Sequence, residues 1–413
     1  MRLVVVGASL AGMRAAQAAR AKGFDGELTV IGAEAHPPYT RPPLSKELLG
    51  GAQEAADVDL RSSALDVEWR LGVSASELDR DARVVRLADG AEIPYDRVIV
   101  ATGCRAKSWP VGDVAIHDLN GVHTLRDLDD ALRLRVELHD AHRLTIVGAG
   151  FIGCEVAATA RKRGVEVTLI DIAPTPMLPL GPELGARCAD MHRAHGVDLH
   201  LGTGVRTVHG DDGRVEAVTL TDGTTIDTDV LLIALGSALN DEWLNESGLQ
   251  LDGGLVCDET LTSIDDPDVL GAGDIVSWPQ PLLRGERARV EHWTVAAEHG
   301  RLAGANALLD SAQRAPHAVA PYFWSDQYDV KIQAVGFPAR AEALRILEST
   351  PGGDRFVAVG ERDGRLVGAI GFNAAARVAW YRRRLTPDAT VEELEAAIAA
   401  DPKALGAAVG AQA

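Results

Sequence analysis

The sequence predicts an α/β protein with two Rossmann-like dinucleotide-binding domains and a smaller C-terminal α+β domain. Three observations predict this fold class. Two glycine-rich turns each lie between an apolar run and a predicted helix, landmarks of the first unit recur in the second, and the composition changes after Pro321. At 413 residues the chain is too long for one hydrophobic core, so two or three domains are expected.

The clearer glycine turn follows the apolar run 144–147. Gly148, Gly150 and Gly153 have the spacing G-x-G-x-x-G, and an alanine-rich helix and a second β-rich run come after them. In such a unit the first glycine permits a tight turn, the second lets a pyrophosphate approach the backbone, and the third lets the helix pack closely. Asp171 closes the second strand, where an acid can bind the adenosine ribose hydroxyls. This segment therefore predicts a dinucleotide site.

Asp171 also indicates which dinucleotide binds. A carboxylate at this position would repel the ribose phosphate of NADPH, which an arginine would accept. The sequence therefore favours NADH as the electron donor.

The other glycine turn follows the apolar run Leu3–Val6. Gly7, Ser9 and Gly12 repeat the same spacing, and the serine at the middle position is small enough for a phosphate to approach. The acid that usually closes the second strand is displaced to Glu34, which is a candidate for ribose binding. We interpret this segment as a second nucleotide-binding unit.

Landmarks of the first unit recur in the second. The pairs Asp89-Gly90 and Asp222-Gly223 predict hairpin turns, and each hairpin leads to an apolar strand that ends in a small-residue turn, at 101–103 and at 234–236. The hairpins, the strand ends and the glycine turns are separated by nearly the same number of residues. This agreement predicts a duplicated dinucleotide fold, and two such domains imply two dinucleotides.

Charge and hydropathy exclude several function classes. The net charge of −19 argues against general binding to nucleic acid or to an anionic membrane. Arg14 interrupts the N-terminal apolar run, and no run approaches the roughly 18 residues of a membrane span. The four cysteines are widely spaced and form no C-x-x-C pair, as expected for reduced thiols. We expect a cytoplasmic protein without a targeting segment and without a metal site.

Towards the C terminus, four aromatic residues lie between positions 322 and 328, although aromatics make up only 4% of the chain. Strand-like runs follow at 331–335, 356–360 and 366–372. Thr390 and Glu393 have the spacing of a capping box that opens a helix. These features predict an antiparallel domain with a helix at its end.

Asp274 follows an apolar strand and the small-residue turn 271–273. A carboxylate at the end of such a turn can accept hydrogen bonds from the sugar-like chain of a cofactor. We therefore include Asp274 among the candidate cofactor contacts.

These residues resemble the NADH-dependent ferredoxin reductases of bacterial oxygenase systems, which are putidaredoxin-reductase-like FAD flavoproteins. The resemblance covers essentially the whole chain. It rests on seven ordered motifs: GASLAG at 7–12, PPYTRPPLSK at 37–46, ATG at 101–103, GAGFIGCEVAATA at 148–160, GAGD at 271–274, RVEHWTVAAEHG at 289–300 and PYFWSDQY at 321–328.

The resemblance implies a fold like that of glutathione reductase. The domains implied are an FAD-binding domain in two segments, 1–108 and 237–318, an inserted NADH-binding domain, 109–236, and a C-terminal α+β domain, 319–413. It also implies that NADH gives a hydride to FAD and that single electrons pass to an iron–sulfur ferredoxin, which supplies a monooxygenase or dioxygenase. A flavin suits this task because nicotinamide donates two electrons as hydride whereas an iron–sulfur cluster accepts one.

The resemblance also implies site residues. Lys46, in a segment stiffened by Pro42 and Pro43, is expected near the flavin ring, and Glu155 is expected to approach Lys46 beside the nicotinamide. These two are the candidate catalytic residues, although neither needs to act as an acid or a base. The candidate cofactor-binding residues are Gly7, Ser9, Ala11, Gly12, Ala33, Glu34, Arg41, Lys46, Ala75, Ala101, Thr102, Gly103, Arg126, Gly148, Gly150, Ile152, Gly153, Asp171, Gly236, Gly273, Asp274, Glu291, His292 and Trp293.

The ferredoxin partner is expected to be acidic, so an enzyme of net charge −19 needs a local basic face to attract it. Arg301 and Trp324 are the candidate partner-binding residues, and Arg377 and the arginine run 382–384 are weaker candidates. A solvated arginine or a packed tryptophan would give the same sequence pattern.

Several other activities use this fold. Disulfide reductases need a cysteine pair near the flavin, and NADH oxidases and peroxidases need a single cysteine, whereas residues 40–50 contain none. Rubredoxin reductase and monodehydroascorbate reductase have a cysteine-free flavin face and stay as alternatives. A redox-switched signalling flavoprotein resembling apoptosis-inducing factor is a further alternative, which a long basic surface or a targeting segment would favour.

Overall fold

The computed structural model describes residues 1–60, 64–109, 116 and 119–406. The first part of the chain forms β1 (Arg2–Val6), α1 (Leu10–Ala21), β2 (Glu27–Gly32), α2 (Glu47–Gly50), β3 (Glu68–Leu71), β4 (Ala75–Asp79), β5 (Val84–Leu87), β6 (Glu92–Pro94), β7 (Arg97–Val100) and β8 (Cys104–Ala106). The middle part forms β9 (Val122–His123), α3 (Leu128–Asp140), β10 (Arg143–Val147), α4 (Phe151–Lys162), β11 (Glu166–Asp171), α5 (Gly181–Ala194), β12 (Asp198–Leu201), β13 (Val205–Asp211), β14 (Arg214–Leu220), β15 (Thr225–Asp227) and β16 (Val230–Ile233). The last part forms β17 (Ser237–Leu239), β18 (Leu255–Val256), β19 (Val269–Gly271), β20 (Val276–Pro279), β21 (Arg287–Arg289), α6 (Trp293–Asn306), β22 (Tyr322–Gln327), β23 (Val330–Gly336), β24 (Ala343–Ser349), β25 (Phe356–Arg362), β26 (Arg365–Phe372), α7 (Ala375–Arg382) and α8 (Val391–Ala399).

The first parallel sheet has the strand order β19–β7–β1–β2–β3. Its central strand β1 is buried from Leu3 to Val6, which explains why this run is apolar at every position. The edge strand β19 comes from a part of the chain that follows the whole second sheet. The first sheet therefore combines strands that lie before and after the second sheet in the sequence.

The second parallel sheet has the strand order β12–β11–β10–β16–β9. In both sheets a glycine turn and a helix connect the central strand to its neighbour, β1 to β2 and β10 to β11. The two predicted hairpin turns are present, between β5 and β6 and between β14 and β15, and each precedes a strand of a parallel sheet, β7 or β16. The duplicated Rossmann-like fold predicted from the sequence repeat is confirmed.

The C-terminal sheet is antiparallel, with the strand order β22–β23–β26–β25–β24. The three predicted strands correspond to β23, β25 and β26, and the edge strands β22 and β24 complete the sheet. Helix α8 begins with the predicted capping box, because Thr390 accepts from the Glu393 N–H and Glu393 accepts from the Thr390 N–H. The C-terminal α+β domain is confirmed.

The second parallel sheet and the C-terminal sheet share a hydrophobic core with α2, which belongs to the first part of the chain. Leu48 and Leu49 of α2, Val156 of α4, and Ile332 and Phe372 of the C-terminal sheet belong to the same buried cluster. Helix α4 also packs directly against β22. This packing brings the segment before α2, the start of α4 and β22 together around one space. Among the described helices, none is long and apolar enough to cross a membrane.

A candidate active site between the two glycine turns

A cavity of about 1170 Å³ lies between the two parallel sheets and the C-terminal sheet. Its wall includes the first glycine turn, the start of α4, and Phe323 and Trp324 of β22. The cavity-lining residues that the sequence had identified as candidates are Gly7, Ser9, Ala11, Ala33, Glu34, Arg41, Lys46, Ala75, Ala101, Thr102, Gly103, Arg126, Gly150, Ile152, Glu155, Gly236, Gly273, Asp274, Glu291, His292, Trp293 and Trp324. Most of the candidates therefore face one space.

The two glycine turns have the same geometry. Gly7 has φ +121° and Gly148 has φ +111°, which are backbone conformations that favour glycine. A Cβ atom on Gly7 would lie 2.1 Å from the carbonyl oxygen of Ala101, and one on Gly148 would lie 2.2 Å from that of Ala234. Each turn therefore passes directly against the end of the neighbouring strand, where a side chain would not fit.

The other glycines of the two motifs divide into two roles. A Cβ atom on Gly12 would lie 1.8 Å from the carbonyl oxygen of Gly7, and one on Gly153 would lie 2.0 Å from that of Gly148. These two glycines let each helix pack against its own turn, behind the cavity. A Cβ atom on Gly150 would meet no described atom within 4 Å, so the backbone at Gly150 borders open space. Gly150 also caps α4, whose first N–H groups point towards that space.

The Asp171 carboxylate is bound to the backbone around the second glycine turn. It accepts hydrogen bonds from the N–H of Ala149, at 2.6 Å, and from the N–H of Ala173, at 2.8 Å. Asp171 stands at the end of β11, beside the turn and outside the wall of the cavity just described. The carboxylate thus fixes the turn in addition to presenting a negative charge beside it.

Glu34 takes part in a polar cluster at the first glycine turn. Its carboxylate accepts hydrogen bonds from Arg41 Nη2, at 2.5 Å, and from the hydroxyl of Tyr39. Burial is the main cause that raises the pKa of Tyr39, so this phenol stays protonated as a donor. Arg41 also donates to the carbonyl of Arg126, at 2.7 Å. The cluster brings one carboxylate and one guanidinium to the cavity wall.

A second acid–guanidinium pair lies next to this cluster in the cavity wall, because its arginine is Arg126. Arg126 Nη2 is 2.9 Å from Asp274 Oδ2. The Cys104 thiol donates to the same carboxylate oxygen at 3.3 Å. Burial raises the pKa of Cys104 to about 12, so the sulfur is a neutral thiol near neutral pH. Cys104 is the only cysteine among the described cavity-lining residues, so this wall contains no cysteine pair for disulfide chemistry.

Lys46 and Glu155 form a buried ion pair in the cavity wall. The distance from Lys46 Nζ to Glu155 Oε2 is 2.6 Å, and the two side chains are 12% and 5% exposed. The same oxygen accepts from the hydroxyl of Ser45 at 2.5 Å, and Glu155 Oε1 accepts from the hydroxyl of Ser325 at 2.7 Å. Lys46 also donates to the carbonyl of Pro42 at 3.2 Å. Both charges are therefore paired and hydrogen-bonded, as buried charges must be.

Aromatic residues connect the cavity with the C-terminal sheet. The rings of Trp293 and Trp324 are 6.1 Å apart, and Trp324 stacks with Tyr322 at 6.0 Å. His292 packs against Phe323, and burial lowers the pKa of His292 to about 4, so its imidazole is neutral near pH 7. Trp324 is half-buried in this group, whereas the candidate partner residue Arg301 lies on the exposed side of α6.

Several residues of the site were not identified from the sequence. These are Tyr39, Ser45, Cys104, Phe151, Phe323, Ser325 and Gln327. Most lie inside motifs that carried the resemblance, but their partners are distant in the chain. Ser325, for example, is 170 residues from Glu155. A short sequence motif gives no signal for such a hydrogen bond.

Comparison with known proteins identifies the family. A family model described as pyridine nucleotide-disulphide oxidoreductase matches residues 1–300, and one described as reductase C-terminal matches residues 322–405. This chain belongs to the pyridine nucleotide-disulphide oxidoreductase family. The first match covers both glycine turns and ends within α6, and the second covers the C-terminal sheet.

Individual members of the family are similar over most of the chain. The chain is 35% identical to rhodocoxin reductase of Rhodococcus erythropolis, over 86% of this chain and 82% of that protein. It is 33% identical to the anthranilate 1,2-dioxygenase system ferredoxin--NAD(+) reductase component of Burkholderia cepacia, over 94% of both. A solved structure of the covalent putidaredoxin reductase–putidaredoxin complex has a TM-score of 0.88 and 30% identity, with 93% of both chains covered.

Proposed function

We propose that this protein is an FAD-dependent enzyme that takes a hydride from NADH and passes single electrons to an iron–sulfur ferredoxin, which supplies a monooxygenase or dioxygenase. The observation that carries the proposal is one cavity bordered by the first glycine turn, by the open backbone at Gly150 and by Trp324. An electron donor, a flavin and an electron exit can meet at such a space. The names of the relatives, which are ferredoxin reductase components of oxygenase systems, support the acceptor.

The residues at the first glycine turn fit the nucleotide end of FAD. The first N–H groups of α1 and the small Ser9 leave room for a pyrophosphate at the helix N terminus. Arg41 and Arg126 provide guanidinium groups in the cavity wall that can offset phosphate charge. Glu34, beyond the end of β2, offers a carboxylate for the ribose hydroxyls.

Other residues of the cavity wall fit the flavin ring and its ribityl chain. Asp274 can accept hydrogen bonds from ribityl hydroxyls. Lys46, His292 and Trp293 provide a cation, a neutral imidazole and an indole around the space left for the ring. When bound, FAD supplies a group that accepts a hydride and releases single electrons.

NADH is proposed to bind at the second glycine turn. Gly150 and the first N–H groups of α4 can hold its pyrophosphate. Asp171, at the end of β11, can then bind the hydroxyls of the adenosine ribose. Gly148 and Gly153 shape this turn, and Gly236 borders the same space. The nicotinamide would then extend along α4 towards Glu155, into the part of the cavity that the flavin ring shares.

The residues between the two cofactors have simple roles. The Lys46–Glu155 pair fixes the charge at the wall and keeps a cation beside the flavin position. Phe151 and Phe323 pack edge to face at 4.8 Å and exclude water from this wall. Hydride transfer depends mainly on distance and orientation, so neither Lys46 nor Glu155 needs to move a proton.

The partner is proposed to be an acidic ferredoxin that docks near Trp324. Arg301 on the exposed side of α6 offers a positive charge on a chain whose net charge is −19. Opposite charges at such a face raise the association rate more than the final affinity. No nucleic-acid or membrane partner is proposed for a chain of this charge.

The proposed domains are the FAD-binding segments 1–108 and 237–318, the NADH-binding domain 109–236 and the C-terminal domain 319–413. The edge position of β19 supports the discontinuity of the first domain. The connection that contains the boundary at 108/109 lies mostly outside the described residues. We also propose a cytoplasmic location, which the four buried free cysteines support.

Stopped-flow absorbance tests the proposal. The purified protein is mixed anaerobically with NADH or with NADPH and then with a ferredoxin. We expect the bound FAD to be bleached quickly by NADH and poorly by NADPH, and then to be reoxidised by the ferredoxin. A protein that binds no flavin, or whose reduced flavin gives electrons to no ferredoxin, would contradict the proposed function.

A further inference from the structure

A row of buried polar side chains leads away from Glu155 into the interface between α5 and the C-terminal sheet. It contains Ser325 and Gln327 of β22, His192 of α5, and Tyr328. Ser325, Gln327 and His192 are fully buried. The Lys46–Glu155 pair does not require these groups for its own ionic contact, so their presence in the core needs another explanation.

The distances define a continuous chain of hydrogen bonds. Ser325 Oγ lies 2.7 Å from Glu155 Oε1 and 3.1 Å from Gln327 Nε2. Gln327 Oε1 lies 3.1 Å from His192 Nε2, and His192 Nδ1 lies 3.0 Å from the hydroxyl of Tyr328. We call these four residues and Glu155 the Glu155 hydrogen-bond chain.

The carboxylate fixes the direction of the first two bonds. An ionised carboxylate can only accept, so the single hydroxyl hydrogen of Ser325 must point to Glu155. The Ser325 oxygen is then an acceptor, and the Gln327 amide must present its NH₂ group to it. Reversing the amide of Gln327 would place two lone pairs against each other in a buried position, which costs free energy.

The orientation of the Gln327 amide fixes the remaining bonds of the Glu155 hydrogen-bond chain. With its NH₂ group towards Ser325, Gln327 presents its carbonyl oxygen to His192, so His192 Nε2 must carry a hydrogen. Burial lowers the pKa of His192 to about 4, so its imidazole is neutral near pH 7 and its Nδ1 is an acceptor. The hydroxyl of Tyr328 therefore donates to His192. Every donor in the chain points towards Glu155, and such aligned bonds strengthen one another.

We propose that Ser325, Gln327 and His192 are positioning residues that hold the Glu155 carboxylate against Lys46, and that the charge of Glu155 sets the direction of every hydrogen bond from Ser325 to Tyr328. The positioning role rests on the proposed function. The direction of the bonds does not, because it follows from the protein alone.

The residues around the Glu155 carboxylate come from all three structural units. Glu155 belongs to the second dinucleotide-binding unit, Lys46 to the first, and Ser325 and Gln327 to the C-terminal sheet. Ser325 thus provides a contact by which the C-terminal sheet holds Glu155 through Oε1, whereas Lys46 contacts Oε2. Gln327 Nε2 also lies 3.2 Å from the sulfur of Met177, so its NH₂ group has two acceptors, Met177 and Ser325.

Nitrogen-15 NMR of histidine-labelled protein tests the direction of the bonds without any turnover. We expect the His192 signals of a neutral ring with hydrogen on Nε2 and an unprotonated, hydrogen-bonded Nδ1, assigned by their loss in His192→Asn. Gln327→Leu should remove the Nε2 hydrogen bond, and Glu155→Gln should change the His192 signals although the two residues are not in contact. A ring with hydrogen on Nδ1, or His192 signals that do not respond to Glu155→Gln, would overturn the assigned direction.

Rapid reduction of the flavin by NADH tests the positioning role. Ser325→Ala should lower the limiting rate constant about tenfold, as expected for loss of a charge-assisted hydrogen bond, with little change in the dissociation constant for NADH. Ser325→Thr, which keeps the hydroxyl, should restore most of the rate. Ser349→Ala is the control, since Ser349 lies in the same sheet and its hydroxyl, among the described residues, donates only to the neighbouring carbonyl of Thr350.

A double-mutant cycle separates positioning from a general loss of structure. In the Glu155→Gln background, Ser325→Ala should have little further effect, because Ser325 acts through the carboxylate. Equal losses in both backgrounds would overturn the positioning role. If wild-type flavin is not reduced by NADH at all, the proposed function and the positioning role both fail, whereas the NMR experiment still decides the direction of the bonds.

Discussion

Lys46 Nζ lies 2.6 Å from Glu155 Oε2, and this ion pair joins the first dinucleotide-binding unit to the second. The two side chains are almost completely buried, and the hydroxyl groups of Ser45 and Ser325 complete the hydrogen bonding of the carboxylate. The charge balance of the cavity wall therefore depends on residues from all three structural units.

Removal of one partner of the pair should destabilise the protein more than removal of both. Lys46→Met leaves a buried carboxylate without its cation, which typically costs about 3–5 kcal/mol. The double variant Lys46→Met/Glu155→Gln has no buried charge at this position and should unfold at a higher urea concentration than Lys46→Met. Equal unfolding midpoints for the single and double variants would show that the pair is not isolated from solvent.

Two alanine substitutions in one motif should affect different properties, NADH binding in one variant and stability in the other. Gly150→Ala places a methyl group where no described atom lies within 4 Å, so the fold should be retained while the affinity for NADH falls. Gly153→Ala places a methyl group 2.0 Å from the Gly148 carbonyl and should destabilise the fold itself. Thermal unfolding and NADH titration of both variants check this. The prediction fails if Gly150→Ala binds NADH as tightly as the wild type.

Neutralisation of Asp171 should weaken the preference for NADH over NADPH. Asp171→Asn removes the charge that repels a ribose phosphate and keeps one oxygen that can accept from the Ala149 N–H, while the hydrogen bond with the Ala173 N–H is lost. We expect the ratio of dissociation constants to change by about tenfold, which is about 1.4 kcal/mol and lies between the energies of a charge pair in bulk water, about 1 kcal/mol, and near a protein surface, about 4 kcal/mol. Asp140→Asn is the control, because it removes one charge from a side chain that is 94% exposed. An unchanged ratio in Asp171→Asn would assign cofactor selection to other residues.

Stability should fall as the pH decreases from about 6.5 to 4, and His192 should contribute. The unfolded chain binds a proton on this histidine near pH 6.5, whereas burial lowers the pKa in the folded protein to about 4. Between these values the unfolded state binds more protons, so the free energy of unfolding decreases by at most about 1.4 kcal/mol per pH unit for this group.

Urea unfolding at pH 5 and pH 7 measures this dependence. His192→Gln lacks the titrating ring but keeps an N–H donor for Gln327, so its pH dependence over this interval should be weaker than that of the wild type. The same dependence in both proteins would mean that His192 binds a proton in the folded state. His292, whose pKa burial also lowers to about 4, should account for part of the slope that both proteins share.

Loss of the positive charge at Arg301 should slow association with an acidic ferredoxin. We expect Arg301→Ala to reduce the association rate constant about two- to threefold at low ionic strength, and the difference should vanish at high salt because salt screens exposed charges. Flavin reduction by NADH should not change. Arg206→Ala removes an exposed arginine from β13 and serves as the control. Equal rate constants for both variants would exclude Arg301 from the docking surface.

The sequence by itself determined the parts of the molecule that depend on local pattern. The buried runs at Leu3–Val6 and 144–147, the two glycine turns and the capping box at Thr390 each predicted an element that the structure contains. The recurrence of the hairpins, strand ends and glycine turns predicted the duplicated dinucleotide-binding fold. These features can be recognised locally because strand periodicity, turn conformation and helix capping each involve only a few consecutive residues.

Only the tertiary structure decided how these elements share one site. It showed that Gly12 and Gly153 lie behind the cavity while Gly150 borders it, that Asp171 is bound to its own turn, and that Ser325 and Gln327 are linked to Glu155. The physical reason is that hydrogen bonds and ion pairs form between groups that are close in space. Ser325 and Glu155 are separated by 170 residues and meet only because α4 packs against β22.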